Sequence, residues 1–430
     1  MCAAFRYGNL NELYAACPEL PGKGDVSVLA KPVEGEGFVC KNAIAIQPME
    51  GCDGTIGGSP DEWTYRRYRR FAAGGAGLVW AEAISVVPEG RANPRQLMLT
   101  EDNLDDFRRL TDAMREEAAK NGEEPPVMIA QLTHSGRWSR PVKDNAPIRM
   151  WTSPVLDPHQ KLPEDYPIAT DEYLASLPEK FAESTRLARA AGFDGVDVKA
   201  CHLYLYSEML GAFDRPGPYG GSFENRTRLF LESIEAARSE IAGGVLASRI
   251  NLYDGTAANW GVGENLSLDL TEPLMLLDKM WDKGVKLFNI TMGTPYYNPH
   301  VNRPYCNGGY VPPEEPLAGV ARLLEGCAQA QKRLPKAVIL ATGLSYLREY
   351  APEIAAGMAQ RGEAKLFGFG RGAFAYPDLA HDICQKGKME HDKCCVTCSL
   401  CTKIMRAGGR PGCPVKDTEW YLPEYRRVIK

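Results

Sequence analysis

From residue 43 to residue 370 the chain repeats one unit eight times: a short apolar run, then a longer stretch whose apolar residues recur at helical spacing. The runs cover residues 43–48, 77–83, 127–132, 195–199, 245–251, 285–290, 337–341 and 365–370. Each has the Val, Ile, Leu or Phe content of a strand buried on both faces. Between two of them Phe230, Ile234, Ala237 and Ile241 mark one face of a helix, which Gly243-Gly244 terminates. The stretches before Gly192 and Gly284 end in the same way, on a glycine that feeds the next strand. Strands alternating with helices dictate a parallel sheet, and eight is the number at which such a sheet closes on itself. The expected fold class is therefore α/β, a (β/α)8 TIM barrel over residues 43–380. An open doubly wound sheet is the competing arrangement, but no Gly-x-Gly-x-x-Gly follows the first strand and opens a helix. Residues 1–42 are expected to form an N-terminal lid or hairpin under the barrel, and residues 381–430 a cysteine-rich extension.

That extension holds the second strong pattern. Five of the thirteen cysteines fall between positions 394 and 413, four of them spaced as Cys395-x2-Cys398-x2-Cys401-x11-Cys413. A tight triplet lets one loop wrap three corners of a cubane, and a distant Cys-Pro closes the fourth, as in ferredoxin-type ligand runs. The spacing therefore predicts a [4Fe-4S] cluster on Cys395, Cys398, Cys401 and Cys413. Cys394 is an alternative to Cys395 as first ligand. A structural zinc ion also takes four cysteines, though zinc knuckles usually come as two separated Cys-x2-Cys pairs. A disulfide pair is disfavoured, because the N-terminus MCAAFRYGNL lacks a hydrophobic signal core and the reducing cytosol keeps thiols free. The expected location is cytoplasmic, in an anaerobic or reducing setting.

Composition narrows the partners. A formal net charge of −5 lacks the basic footprint of a nucleic-acid binder. No apolar run approaches the length of a membrane span. Neither nucleic acid nor membrane is expected as a partner, and a homo-oligomer is allowed.

In a barrel, reactive groups belong where strands end at the C-terminal face. Gln131-Leu132-Thr133-His134-Ser135-Gly136-Arg137 follows the third strand, and Lys199-Ala200-Cys201-His202-Leu203-Tyr204 the fourth. Arg249 lies on the fifth, Ala341-Thr342-Gly343 ends the seventh, and Gly370-Arg371 ends the eighth. With Gly192-Phe193-Asp194-Gly195-Val196-Asp197-Val198, Tyr219-Gly220-Gly221-Ser222-Phe223-Glu224-Asn225-Arg226 and the cysteine run, these motifs give a plain resemblance. From about residue 41 to residue 413 the chain resembles the Old Yellow Enzyme family of FMN-dependent barrels. It looks like that family's iron–sulfur branch, which includes 2,4-dienoyl-CoA reductase, 2-enoate reductases and trimethylamine dehydrogenase.

The resemblance implies FMN as cofactor and assigns roles. Gln131 would offer its amide to the pyrimidine edge of the flavin. Arg249 would place positive charge beside the N1/C2-carbonyl edge. Gly343, Gly370 and Arg371 would hold the phosphate, while Pro48, Met49 and Ala83 would line the ring. Tyr204 would be the proton donor of an ene-reductase, adding a proton to the α-carbon of an α,β-unsaturated carbonyl or carboxylate. Its phenol is expected to be eased toward acidity by positive charge from Lys199 and His202. Lys199 departs from the family's pattern of His paired with His or Asn. That ammonium implies a carboxylate or developing enolate in the substrate. His134 is expected to orient its loop and Cys201 to pack, while Tyr206 is the alternative donor. Cys52 lies two residues past a flavin-tuning position of some relatives and carries no role over. Loops 138–167 and 294–316 are expected to shape the pocket.

Relatives that carry the cluster often continue into an FAD/NAD(P)H domain, whereas this sequence stops at Lys430. The expected electron source is therefore a ferredoxin, flavodoxin or reductase subunit docking near the cysteines, or NAD(P)H acting directly. The competing functions are an amine dehydrogenase or demethylase of the trimethylamine dehydrogenase type, and a non-catalytic, zinc-stabilised barrel subunit.

Overall fold

The structure, a computed structural model, describes residues 5–257 and 259–429. The first four residues of the N-terminal segment, Ala258 and Lys430 lie outside them. Eight parallel strands close a barrel: β1 (Ile44–Ile46), β2 (Leu78–Ser85), β3 (Val127–Thr133), β4 (Gly195–Val198), β5 (Val245–Asn251), β6 (Leu287–Thr291), β7 (Val338–Ala341) and β8 (Leu366–Phe369). They pair in chain order, and β8 returns to β1 with Phe367 opposite Ile44. This is the TIM barrel, and closure removes the doubly wound alternative. Among the described residues no helix is long and apolar enough to cross a membrane.

Side chains alternate between the barrel interior and the surrounding helices with the period of two that a strand imposes. The lower interior is apolar: Ala45, Leu78, Trp80, Ile129, Val245, Ala247, Leu287, Val338, Leu340 and Leu366 form one buried cluster. An antiparallel hairpin, Val33–Gly35 with Phe38–Cys40, adds Phe38 and Cys40 to that cluster and plugs the N-terminal mouth. Two positions further along the strands the interior turns polar. Asp197 accepts hydrogen bonds from Trp80 Nε1 (2.8 Å), Gln131 Nε2 (2.7 Å) and the Arg249 N–H (2.7 Å). Asn289 Nδ2 donates to Gln47 Oε1 at 2.8 Å. Apolar packing below and donors above make the C-terminal face the chemically equipped end of this interior among the described residues.

One helix, Glu62–Ala73, ties the face to the extension. It starts on a capping box, Asp61 with Thr64. On its inner side Arg67 pairs with both Asp53 and Glu82, all three buried. Glu82 reaches outward because β2 shifts register between Trp80 and Ala83. Its Oε2 accepts the Gly51 N–H at 2.6 Å, and Thr64 Oγ1 donates to Asp53 at 2.8 Å, so residues 50–53 are clamped. On its outer side the helix meets the extension. Asp417 accepts from Arg66 (2.7 Å) and Arg70 (2.5 Å), and Trp63 packs edge-on against Trp420 with ring centroids 4.8 Å apart.

Removing the cation would strand two buried carboxylates. Arg67→Ala is expected to cost about 3–5 kcal/mol of unfolding free energy, read by urea denaturation. Burial and Asp53 already raise the Glu82 carboxyl above its usual range. Without Arg67, whose charge lowers it, the Glu82 carboxyl folds with a pKa raised further, so the folded variant binds more protons than the unfolded chain. The deficit should therefore grow as pH rises and shrink in mild acid.

Candidate functional site

A cavity of about 580 Å³ opens at the C-terminal ends of the strands. Pro48, Met49, Ala83, Gln131, Lys199, His202, Tyr204, Arg249, Gly343, Gly370 and Arg371 all line it, so the structure brings together every residue expected on the flavin and substrate sides. The loops 138–167 and 294–316 do contribute walls, through Trp138, Arg140, Lys161, Tyr296 and Arg303 among others. Tyr206 does not line it; its hydroxyl is hydrogen-bonded to Ser233 Oγ at 2.5 Å. Cys201 is buried elsewhere, whereas Cys52 lines the cavity with a left-handed φ of 46°. His134 orients its loop: Nδ1 accepts the Gly136 N–H at 2.9 Å, Nε2 meets the Tyr173 hydroxyl at 2.7 Å, and burial pushes its pKa down to about 3.

The cavity floor is built from donors and acceptors with spare capacity. Gln131 spends one amide N–H on Asp197, and its carbonyl oxygen has no protein partner among the described residues. Gln47 Nε2 and Arg249 Nε are buried without partners. Arg249 Nη1 reaches the Pro48 carbonyl at 3.4 Å, holding the guanidinium across the floor. Gly368 keeps this layer open, because a Cβ there would come within 2.1 Å of Gln47 Nε2. Buried donors without partners cost free energy unless something fills the cavity and accepts from them.

At one end of the cavity stand three guanidiniums, Arg303, Arg371 and Arg406. Arg371 Nη2 donates to the Pro304 carbonyl at 2.6 Å, and Arg406 Nη2 to the Pro295 carbonyl at 3.3 Å. Arg371 Nη1 and Arg303 Nη1 are buried without partners. No carboxylate is paired with any of the three among the described residues. Burial first, and the neighbouring Arg371 second, draw the Arg303 pKa down, as a buried cation beside a like charge requires. Beside them Gly343 takes a φ of +96°, which leaves backbone close to the cavity where a side chain would be strained. A dianion at this end would relieve the repulsion and satisfy both orphan nitrogens. A flat heterocycle over the floor with a phosphate tail at the arginines fits the set, and FMN is such a molecule. Arg303 escaped the sequence reading because it lies in a loop, where no periodicity reports direction.

On the other side the groups of the fourth strand's end meet residues the sequence did not nominate. The Tyr204 hydroxyl is 2.7 Å from the Tyr296 hydroxyl and 3.4 Å from Glu50 Oε2. Trp138 stacks on Tyr296 with centroids 4.6 Å apart and planes 14° from parallel. Asn93 Nδ2 donates to Glu50 Oε1 at 2.7 Å. Lys199 Nζ sits 3.5 Å from the Tyr204 ring centroid and makes no ion pair or hydrogen bond among the described residues. His202 and Leu203 turn the chain with φ of 67° and 55°. The strained turn is held by the His202 N–H donating to Asn251 Oδ1 (3.2 Å) and Thr294 Oγ1 donating to the His202 carbonyl (2.8 Å).

Electrostatics here correct one expectation. Tyr204 is not acidified: its pKa is pushed well above the usual phenol value by burial, Glu50 and Tyr296. The Lys199 charge lies over the ring face rather than at the oxygen. Burial also keeps His202 neutral, its pKa well below the ordinary value, with Arg249, Lys199 and Arg303 adding repulsion. Asn302 Nδ2, which also reaches the Met292 carbonyl at 3.2 Å, stands 3.0 Å from His202 Nε2 and makes that nitrogen the acceptor.

Cys395, Cys398, Cys401 and Cys413 line a second, smaller cavity together with Arg371 and Phe374. Cys401, Arg371 and Phe374 line both cavities, so the two share a wall. Cys394 does not line it; it is buried, and its Sγ donates to the Glu390 carbonyl at 3.4 Å. The Thr397 N–H points at Cys395 Sγ (3.4 Å) from a loop in which Thr397 and Ser399 take φ of 47° and 58°. Burial pushes the Cys395 thiol up to about 12 and Cys413 to about 11, so a bound metal would have to displace their protons. Among the described residues no three His, Cys, Asp or Glu side chains are gathered as ligands of a metal ion.

Comparison with known proteins bears on this geometry. The family model described as NADH:flavin oxidoreductase / NADH oxidase matches residues 29–295. A metal reductase of Desulforamulus reducens is 26% identical over 381 residues, covering 87% of this chain and 51% of that protein. An NADPH dehydrogenase of Bacillus velezensis is 30% identical over 261 residues, covering 59% of this chain and 70% of that one. The solved structure of a 2-naphthoyl-CoA reductase in complex with 2-naphthoyl-CoA superimposes with a TM-score of 0.73 at 20% identity, over 93% of this chain and 58% of that one. The chain thus spans about half the length of the metal reductase, and at such identity the structural likeness speaks for the fold alone.

Replacing both Arg303 and Arg371 by Met should weaken FMN rebinding to the stripped protein by a factor of at least about a hundred, since each charged hydrogen bond contributes about 1.5–3 kcal/mol. Fluorescence titration reads the change. Riboflavin, which lacks the phosphate, should bind both forms alike.

Proposed function

Because the chain belongs to the NADH:flavin oxidoreductase / NADH oxidase family, we propose that it works as an FMN- and [4Fe-4S]-dependent ene-reductase on α,β-unsaturated carbonyl or carboxylate compounds. The observation that carries the reading is one cavity with three ends. Unpartnered donors form its floor, uncompensated arginines its phosphate end, and the Tyr204 hydroxyl with the Lys199 ammonium its substrate side. Gln47, Gln131 and Arg249 would hold the ring, and Gly343, Gly370, Arg303 and Arg371 the phosphate, with Pro48, Met49 and Ala83 against the ring edge. Bound there, a flavin would supply hydride chemistry beside the alkene, and a cluster on the cysteines would supply one-electron chemistry.

Lys199 attracts the substrate's carboxylate or carbonyl oxygen and stabilises negative charge that develops on it. His202, kept neutral, adds a hydrogen-bonding group without a second full charge. Tyr204 gives the proton that ends up on the α-carbon. Its high pKa suits a strongly basic carbon and keeps the hydroxyl protonated until such a base is present.

Cys395, Cys398, Cys401 and Cys413 would ligate the cluster, and the wall shared through Cys401 supports electron passage between the two cavities. The donor would be a ferredoxin, a flavodoxin or a reductase subunit meeting the face near Lys416 and Val415, both exposed, or NAD(P)H entering the larger cavity. A reducing, cytoplasmic setting suits free thiols at this density. The amine dehydrogenase reading is disfavoured by Lys199, a basic group without an ion pair among the described residues that would face any cationic amine, even though burial lowers its pKa.

Protein purified without oxygen should carry flavin absorbance, iron and acid-labile sulfide. A colourless preparation that contains zinc would overturn the assignment in favour of a binding subunit. Lys199→Met should raise KM for an unsaturated carboxylate about tenfold or more while changing that for a neutral enone little, the loss expected of one charged contact. Equal losses on both substrates would remove Lys199 from substrate recognition.

A further inference from the structure

We propose that Glu50 is a second member of the proton-delivery apparatus: its carboxyl returns a proton to the Tyr204 oxygen each time that phenol gives one up, while Tyr296 steadies the phenol. The proposal rests on the ene-reductase reading above and gives Glu50, which stands at the position where some relatives carry a flavin-tuning cysteine, a role in proton delivery that neither the sequence motifs nor the comparisons assign.

The geometry is a short chain of oxygens. Glu50 Oε2 lies 3.4 Å from the Tyr204 hydroxyl, whose other neighbour is the Tyr296 hydroxyl at 2.7 Å. Asn93 Nδ2 occupies Glu50 Oε1 at 2.7 Å, which leaves Oε2 as the oxygen turned to the phenol. The contact with Tyr204 is long, as catalytic contacts often are before substrate is present. Glu50 is held at this distance from below, because the next residue, Gly51, is clamped by Glu82 at 2.6 Å. Tyr296 is held from above by stacking on Trp138. Glu50 itself is half-buried and lines the cavity, so water entering by the mouth can reach it.

The energetics require such a partner. A phenol as weakly acidic as Tyr204 becomes a strong base once it has lost its proton, and it cannot wait as a phenolate in a buried site. Tyr296 cannot supply the proton, since burial and Glu50 push its own pKa well above the phenol range. Glu50 is the neighbouring acid. The groups facing it are Lys199, Arg140, Asn93, Tyr204, Tyr296 and Cys52. Burial raises its pKa, and the Lys199 and Arg140 charges oppose that without reversing it.

The proton balance is simple. The Tyr204 O–H bond breaks as the α-carbon–hydrogen bond forms. The Glu50 O–H bond then breaks as the Tyr204 O–H bond re-forms. Glu50 is left as a carboxylate facing Lys199 and Arg140, which favour that state, and a proton taken from the bulk solvent and carried in by cavity water restores the acid. No electrons change hands in either transfer.

The relay works only while Glu50 is protonated, so alkene reduction should slow as pH rises through its titration. In the holoenzyme, infrared difference spectra across a pH series should show a protonated-carboxyl band that is lost at alkaline pH, is missing in Glu50→Gln and shifts in Tyr204→Phe. With an alkene that the wild type reduces, Glu50→Gln should be about a hundredfold slower and lack the alkaline limb. Glu50→Asp should keep the limb with a moved midpoint, and it carries the test if Glu50→Gln does not fold. Absence of the band, indifference of the band to Tyr204→Phe, or an alkaline limb retained in Glu50→Gln would each overturn the proposal. The infrared readout needs no substrate, so its failure is distinct from failure of the ene-reductase reading, which cofactor content and the substrate pair decide.

Discussion

The Arg67 guanidinium, caught between Asp53 and Glu82 inside the protein, is the interaction on which the working face depends. Buried ion clusters rarely add much net stability, because desolvation consumes most of the Coulomb gain. What this one supplies is position. Asp53 ends the segment that carries Pro48, Met49 and Glu50 into the cavity, and Glu82 grips the amide of Gly51. The same helix turns Trp63, Arg66 and Arg70 outward to Asp417 and Trp420. One helical element therefore sets both the substrate-side loop and the cysteine extension against the barrel.

The barrel's register does the rest. Because side chains alternate every second residue, a strand that puts Ala45 inside also puts Gln47 inside, and Ile129 commits Gln131 in the same way. The hairpin that carries Phe38 seals the apolar end. The polar layer is thus a consequence of strand periodicity and of where each apolar run gives way to polar residues.

That periodicity is why so much was legible in the sequence. The eight runs, their order and closure, and the cavity positions of Gln131, Lys199, Arg249 and Arg371 all follow from strand ends, which a linear reading can locate. Glu50, Tyr296 and Arg303 do not follow, since each sits in a loop whose path depends on distant partners: Gly51 on Glu82, Tyr296 on Trp138, Arg303 beside Arg371. The choice between Cys394 and Cys395 is of the same kind. Spacing favours Cys395, and only the folded chain shows that thiol lining the small cavity while Cys394 is buried away from it. The Tyr204 pKa misled for a different reason. Sequence proximity to a lysine says nothing about whether the charge meets the oxygen or the ring face, and burial outweighs a charge placed over the face.

The short helix Leu400–Arg406 presents Cys401 to the small cavity and Thr402, Met405 and Arg406 to the large one. With barely two turns of backbone between them, the two compartments share one short helix as a common wall. Were both cavities to hold the groups proposed for them, thermodynamic reciprocity would require that any ordering one group lends to the other's berth be returned to the same degree. Maturation and oxidative decay would then be coupled along that one short helix.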